Sequence, residues 1–123
     1  MKKILIVDDD RTTTLLLGKR LQATGHYEVR TENSGAAGLV AAKDFHPDLI
    51  LLDVMMPELD GDEVAARLKA SPETAAIPIV FLTSIVKQEE IGAASALVIG
   101  GNRFLAKPVD PNKVIDCIAE VLG

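Results

Sequence analysis

Residues 49–53 read Leu49-Ile50-Leu51-Leu52-Asp53, four branched apolar residues without a break and then a carboxylate. A strand with one face in water alternates apolar and polar. An unbroken apolar run marks a strand covered on both faces, the habit of parallel sheets packed between helices. Two other stretches share this build. Ile4-Leu5-Ile6-Val7 runs into Asp8-Asp9-Asp10, and Ile79-Val80-Phe81-Leu82 runs into Thr83-Ser84. Two more differ. Tyr27-Glu28-Val29-Arg30-Thr31 alternates, and Arg103-Phe104-Leu105-Ala106-Lys107 is short and flanked by charge, as edge strands are. The runs start roughly 22 to 30 residues apart, the length of a strand plus a crossover helix. Three inner and two outer strands fit the order 2-1-3-4-5. That is the flavodoxin-like doubly wound α/β fold, with a five-stranded parallel sheet and five helices.

The intervening segments carry helix signals. Thr12–Gln22 holds Leu15, Leu16, Leu17 and Leu21. The alanine-rich stretch Gly35–Asp44 stops before Pro47, which cannot continue it. Asp60-Gly61-Asp62-Glu63 is an N-cap with an acid three residues on, followed by Val64, Ala65 and Leu68 at helical spacing. Asp110-Pro111 places a cap before a first-turn proline, ahead of Val114, Ile115, Ile118, Val121 and Leu122. The uncharged stretch Ile91–Asn102 reads as a fourth helix, weakened by its glycines. Ile91, Ala94, Leu97 and Val98 would face the core. Its other face, small or apolar throughout, is expected to be a docking or self-association surface.

The 123 residues suit a single domain spanning 1–123. Hydrophobic residues at 48% and charged ones at 25% indicate a globular chain. Aromatics are only Tyr27, Phe45, Phe81 and Phe104, so few rings exist to stack bases. The net charge of −5 repels phosphate backbones. Both argue against direct nucleic-acid binding. A single cysteine, Cys117, excludes an internal disulfide and fits a reducing compartment. No apolar run approaches the ~18 residues of a membrane span, and the first is too short for a secretory signal. The expectation is a soluble cytoplasmic protein without membrane contact.

In a doubly wound sheet, ligands bind beyond the carboxyl ends of the strands at the switch point, here between the first and third. Those strands end in Asp8-Asp9-Asp10 and Asp53; the fourth and fifth end in Thr83-Ser84 and Lys107-Pro108. Converging carboxylates repel one another. A hard divalent cation resolves the conflict, and few protein ligands with several waters is the habit of Mg²⁺. Lys107 adds a fixed positive charge and Thr83 a hydroxyl donor, a set that suits a phosphoryl group beside a metal. An aspartate can itself be the nucleophile and form an acyl phosphate. Asp8, Asp9 and Asp53 against Lys107 leave −2 at this rim, which one Mg²⁺ would cancel. A lone aspartate after a strand is usually a helix cap, and a lone lysine is usually solvated. Agreement among separate strand ends sets this pattern apart.

With these motifs in place, the chain resembles the receiver domain of two-component response regulators. The resemblance rests on Ile4–Asp9, on Asp53-Val54-Met55-Met56-Pro57-Glu58-Leu59-Asp60-Gly61, on Thr83-Ser84 and on Phe104-Leu105-Ala106-Lys107-Pro108. It implies that Asp53 is the phosphoacceptor, taking its group from a phosphohistidine on a histidine kinase or phosphotransfer protein. It implies Mg²⁺ on Asp9, Asp53 and the Met55 carbonyl, with Asp8 acting mainly through water. Lys107 would pair with Asp53 and then with a phosphoryl oxygen, while Thr83 would donate to another. Phe104 would be the switch aromatic that turns inward when Thr83 moves, and Lys107-Pro108 is cis in many relatives. A downstream protein would read the face of the fourth helix, fifth strand and fifth helix. Phe104 lacks a tyrosine hydroxyl, and Ser84 stands where many relatives carry alanine. Met55 and Ile85 flank the path of hydrolytic water and are apolar, so slow self-dephosphorylation is expected. The span from Thr83 to Lys107 is about two residues longer than in common relatives.

Two competing readings explain less. Asp8-Asp9-Asp10-Arg11-Thr12 also fits the D-x-D-x-T pattern of haloacid-dehalogenase-like phosphatases, with Asp8 as nucleophile and Asp10 as acid/base. That reading leaves Asp53 and the Met-Met-Pro turn without a role, and lacks a suitable acidic pair after the lysine. A pure interaction module would not need the full set Asp8, Asp9, Asp53, Thr83 and Lys107. The expectation is a phosphoacceptor rather than an enzyme, stand-alone in preference to excised from a longer regulator. His26, His46 and Cys117 are expected to carry no chemistry.

Overall fold

The structure, a computed structural model, describes residues 1–123. The elements run β1 (Lys2–Val7), α1 (Arg11–Ala23), β2 (Tyr27–Glu32), α2 (Gly35–Phe45), β3 (Leu49–Asp53), α3 (Gly61–Ala70), β4 (Ile79–Thr83), α4 (Gln88–Ile91), β5 (Leu97–Ile99), β6 (Asn102–Ala106) and α5 (Pro111–Leu122). The strands form one sheet in the order β2-β1-β3-β4-β6-β5. Pairing is parallel from β2 through β6, so this is the flavodoxin-like architecture with the expected order of its five parallel strands.

The unbroken apolar runs are explained by alternation, since successive side chains leave a strand on opposite faces. Ile4, Ile6, Leu49, Leu51, Val80, Leu82 and Leu105 face one way, against Leu17 and Leu21 of α1 and Val114, Cys117 and Ile118 of α5. Leu5, Val7, Ile50, Leu52 and Phe81 face the other way, against Ala41 and Ala42 of α2 and Val64, Ala65 and Leu68 of α3. Leu15 and Leu16, placed with the helical apolar set by the sequence, lie exposed instead. The expected caps are present. Asp60 accepts from the Glu63 N–H, and Asp110 accepts from the Asn112 N–H with Pro111 at the first helical position.

The region after β4 departs from the sequence reading. The expected helix over Ile91–Asn102 is absent; α4 ends at Ile91 and Gly92. Leu97–Ile99 forms a sixth strand, β5, antiparallel to β6, with Ile99 opposite Asn102 and Leu97 opposite Phe104. The two-residue link is Gly100-Gly101, both with positive φ (58° and 82°). Positive φ at both turn positions matches the twist of a tight hairpin, and glycine reaches it without strain. Ile91 is buried as expected, but Ala94 and Val98 are exposed. Val86, Ile91 and Ala106 form a small third cluster with Leu97 and Phe104.

Candidate functional site

Asp8 follows directly on β1, Asp53 closes β3, and Lys107 follows β6. Continued alternation puts all three on the α1/α5 side of the sheet, in line with Ile6, Leu51 and Leu105. There they meet. The Lys107 ammonium lies 3.0 Å from Asp8 Oδ2 and 3.3 Å from Asp53 Oδ2. Asp8 is fully buried and Asp53 nearly so. Asp9 joins them from the exposed rim, and one carboxylate oxygen from each of Asp8, Asp9 and Asp53 lies within 4.8 Å of the others.

Local bonds hold this constellation. Asp8 Oδ1 accepts from the Asp10 N–H (2.9 Å), and Asp53 Oδ1 accepts from the Met55 N–H (3.3 Å). Neither Oδ2 has a hydrogen-bond partner; each has only the Lys107 charge beside it. Burial, reinforced by the negative charge of Asp8, pushes the Asp53 carboxyl up to about 7 despite Lys107. Burial opposes the charge of Lys107, but Asp8 and then Asp53 outweigh it and hold the ammonium above its ordinary value. One ammonium therefore does not neutralise the acids. Two unsatisfied, buried carboxylate oxygens beside a third carboxylate are a hard donor set that fits a small divalent cation.

Thr83 ends β4, one residue past the register partner of Asp53. Its Oγ1 accepts from the Ile85 N–H (3.2 Å), which leaves the hydroxyl hydrogen uncommitted to that bond. The Lys107 N–H donates to the Thr83 carbonyl (3.0 Å), so the two strand ends are tied together. Phe104, two residues before Ala106, is half-buried and stacks on Phe81 at 5.3 Å between ring centroids. Lys107-Pro108 is a cis peptide, as the resemblance implied. Met55 and Ile85 stand exposed at the mouth, 67% and 72% open.

Asp10 stays outside the constellation. Its Oδ1 caps α1, accepting from Thr12 and Thr13, and those bonds hold its carboxyl below the ordinary range. It is thus committed as a cap, and the D-x-D-x-T reading loses its acid/base. His26 and His46 are exposed and away from the site; His46 ends α2 in the left-handed region. Cys117 is buried in the α5 core, where burial pushes its thiol up to about 11.

Sequence reasoning missed the supports. Asn33 Nδ2 donates to the Asp8 carbonyl (2.8 Å) and to Thr14 Oγ1 (3.0 Å), fixing the end of β1. Gly61 donates to the Val54 carbonyl, and a Cβ there would strike the Asp53 carbonyl oxygen and lie 2.8 Å from Val54 Cα. The largest surface hollow lies elsewhere, among Lys2, His26, Tyr27 and Asp48, and gathers no comparable set of acids.

Comparison with known proteins bears on this geometry. The family model described as the response regulator receiver domain matches residues 4–119. Protein PilH of Pseudomonas aeruginosa is 35% identical over 123 residues, covering 100% of this chain and 99% of that protein. The alkaline phosphatase synthesis transcriptional regulatory protein PhoP of Bacillus subtilis is 40% identical over 113 residues, covering 92% of this chain. The chain spans under half the length of that regulator, 45%. Among solved structures, the Vibrio cholerae chemotaxis protein CheY4 superposes with a TM-score of 0.82 at 30% identity, covering 98% of each chain. No helix of this chain is long and apolar enough to cross a membrane.

Proposed function

The chain belongs to the response regulator receiver family, the phosphoacceptors of two-component signalling, and from that premise we propose that Asp53 is its acceptor. The observation that carries this reading is the meeting of Asp8, Asp9 and Asp53 around the Lys107 ammonium at the sheet's switch point. The Asp53 carboxylate attacks phosphorus, a P–O bond forms to give the acyl phosphate, and the P–N bond of the donor phosphohistidine breaks. Lys107, held near both buried acids, is placed to follow a phosphoryl oxygen. Thr83 offers its hydroxyl hydrogen to another. Asp8, Asp9, Asp53 and the Met55 backbone carbonyl would hold Mg²⁺. The ion supplies charge that stabilises the transferring group; the residues mostly position it.

The donor would be a histidine kinase or phosphotransfer protein, reached in the cytoplasm. Residues 1–123 would act as one receiver, with no turnover of an external substrate. When Thr83 moves toward the phosphoryl group, Phe104 responds, and the face of α4, the β5–β6 hairpin and α5 changes for a downstream protein. Val98 and Ile99 are more than half exposed on that face, at an edge strand without charge.

Intact mass after incubation with Mg²⁺ and acetyl phosphate tests this reading. Wild type should gain one phosphoryl group, and Asp53→Asn should gain none. Labelling that persists unchanged in Asp53→Asn would move the nucleophile to β1. Steady-state hydrolysis of a phosphate ester would overturn the non-enzyme reading. Amide NMR shifts on labelling should extend from Thr83 to the α4, hairpin and α5 face; shifts confined to the acid cluster would refute the switch.

A further inference from the structure

The segment from Gln88 to Ile99 contributes little to the core. Only Ile91 and Ala96 are buried within it. Its placement rests largely on polar ties to the elements beside it. In its middle, the Lys113 ammonium of α5 donates to the carbonyls of Gly92 (2.6 Å) and Ala94 (3.0 Å), while its far end pairs with β6. The Ser95 hydroxyl donates to Glu120 of α5 (2.7 Å). At its near end, Gln88 Nε2 donates to the Pro108 carbonyl (3.1 Å).

That last bond touches the site. Pro108 follows Lys107, whose ammonium spans Asp8 and Asp53. The Gln88 amide is also unusual in itself. Its Oε1 is buried and has no hydrogen-bond partner. A buried acceptor left unpaired costs free energy. Such groups stand out in folded proteins and need a reason. Here the amide gives up one of its two polar ends and spends the other on the turn that carries Lys107.

We propose that Gln88 is a positioning residue that couples the Lys107-Pro108 turn to α4, so that the state of Asp53 and the order of the Gln88–Ile99 segment depend on each other through its amide. The proposal rests on the reading of Asp53 as phosphoacceptor. A shift of Lys107 toward a phosphoryl oxygen draws on the turn that bears it, and the Pro108 carbonyl is part of that turn. Gln88 must then follow the carbonyl or release it, and either outcome changes how firmly the segment is held. The coupling is reciprocal, as any linkage between two equilibria is. This route is distinct from the one through Thr83 and the Phe104 ring, because it leaves the site through the backbone of the turn after β6, at the Pro108 carbonyl.

The test is hydrogen exchange of peptides covering residues 88–99, with and without Mg²⁺ and acetyl phosphate. Wild type is compared with Gln88→Leu and Gln88→Glu, both of which remove the donor while differing in polarity. Intact mass of the same samples reports labelling of Asp53. Labelling should occur in all chains. In wild type the exchange of residues 88–99 should change on labelling. In both variants that change should fall at least several-fold, while β1 and β3 stay equally protected. A labelled wild type with no change at 88–99, or variants that keep the full change, would overturn the coupling alone. An unlabelled wild type would overturn the acceptor reading and this proposal with it. A purely structural role for Gln88 would alter exchange equally with and without labelling, and that result also counts against the coupling.

Discussion

Gly61 sets how closely α3 approaches the end of β3. Its N–H bonds the Val54 carbonyl at 2.8 Å, and a methyl group there would collide with the Asp53 carbonyl oxygen. The listening partner in that clash is backbone, which cannot rotate away. Gly61→Ala should therefore destabilise the chain by roughly 1–3 kcal/mol, the usual cost of overpacking. It should also slow labelling of Asp53, because the carboxylate moves with its carbonyl. Urea unfolding and the initial rate of mass gain check the two effects; a variant as stable and as fast as wild type would refute the account. Met55 and Ile85 lead to a second expectation. Both are exposed at the mouth, and neither side chain carries a strong hydrogen-bonding group to orient water, the Met55 thioether being only a weak acceptor. The acyl phosphate of the isolated protein should last minutes or longer, and Met55→Asn should shorten that several-fold by giving water a partner. The lifetime is read from loss of phosphoryl mass after the donor is removed; decay within seconds in wild type would refute it.

At the scale of elements, the inner strands were legible because a strand covered on both faces has no room for polar residues, and β1, β3 and β4 show none before their last positions. Only Lys2 and Lys3, at the open start of β1, interrupt this. The carboxylates and Lys107 were legible for the same reason: each polar residue falls where an apolar run stops. The supports were not legible. Asn33 and Gln88 bond backbone carbonyls of distant segments, and Gly61 matters through a backbone contact, so none leaves a periodic trace. The hairpin was misread for a different reason. Ile91, Ala94, Leu97 and Val98 match helical spacing, but Val98 and Ile99 are β-branched and Gly100-Gly101 is a two-residue turn signal. The turn chemistry prevailed. Because Gly101 sits at φ 82°, Gly101→Val should cost about 1–2 kcal/mol and loosen β5, whereas Gly100→Asn should be tolerated. Amide exchange of Leu97–Ile99 and thermal unfolding of the two variants check this; equal effects from both would count against the turn assignment.

The whole molecule is an apolar sandwich with a buried acid cluster at one rim, and that rim should link folding to pH and, on the proposed reading, to Mg²⁺. Folding carries Asp53 from water to a buried place beside Asp8, and its carboxyl rises from an ordinary 3.8 to about 7. Between those values the folded chain holds a proton that the unfolded chain has lost. Stability contributed by this group is therefore present below about pH 4 and is lost as pH rises toward 7. Other carboxyls titrate in the same window, so the informative quantity is the difference between wild type and Asp53→Asn, a neutral side chain of nearly the same shape. In chelator, the variant's melting temperature should exceed that of wild type by an amount that grows from pH 4 to 7 and then levels. The proposed Mg²⁺ site is assembled only in the folded chain, so adding the ion at pH 7.5 should raise wild type in proportion to the logarithm of its concentration above the dissociation constant. The Asp53→Asn chain should respond much less, because one of its three carboxylates is gone. Melting curves over pH, with and without Mg²⁺, decide the matter. A wild type that is more stable than Asp53→Asn at pH 7.5 in chelator would mean that Lys107 alone is enough to hold the acids together, and the need for a metal at this rim would fall.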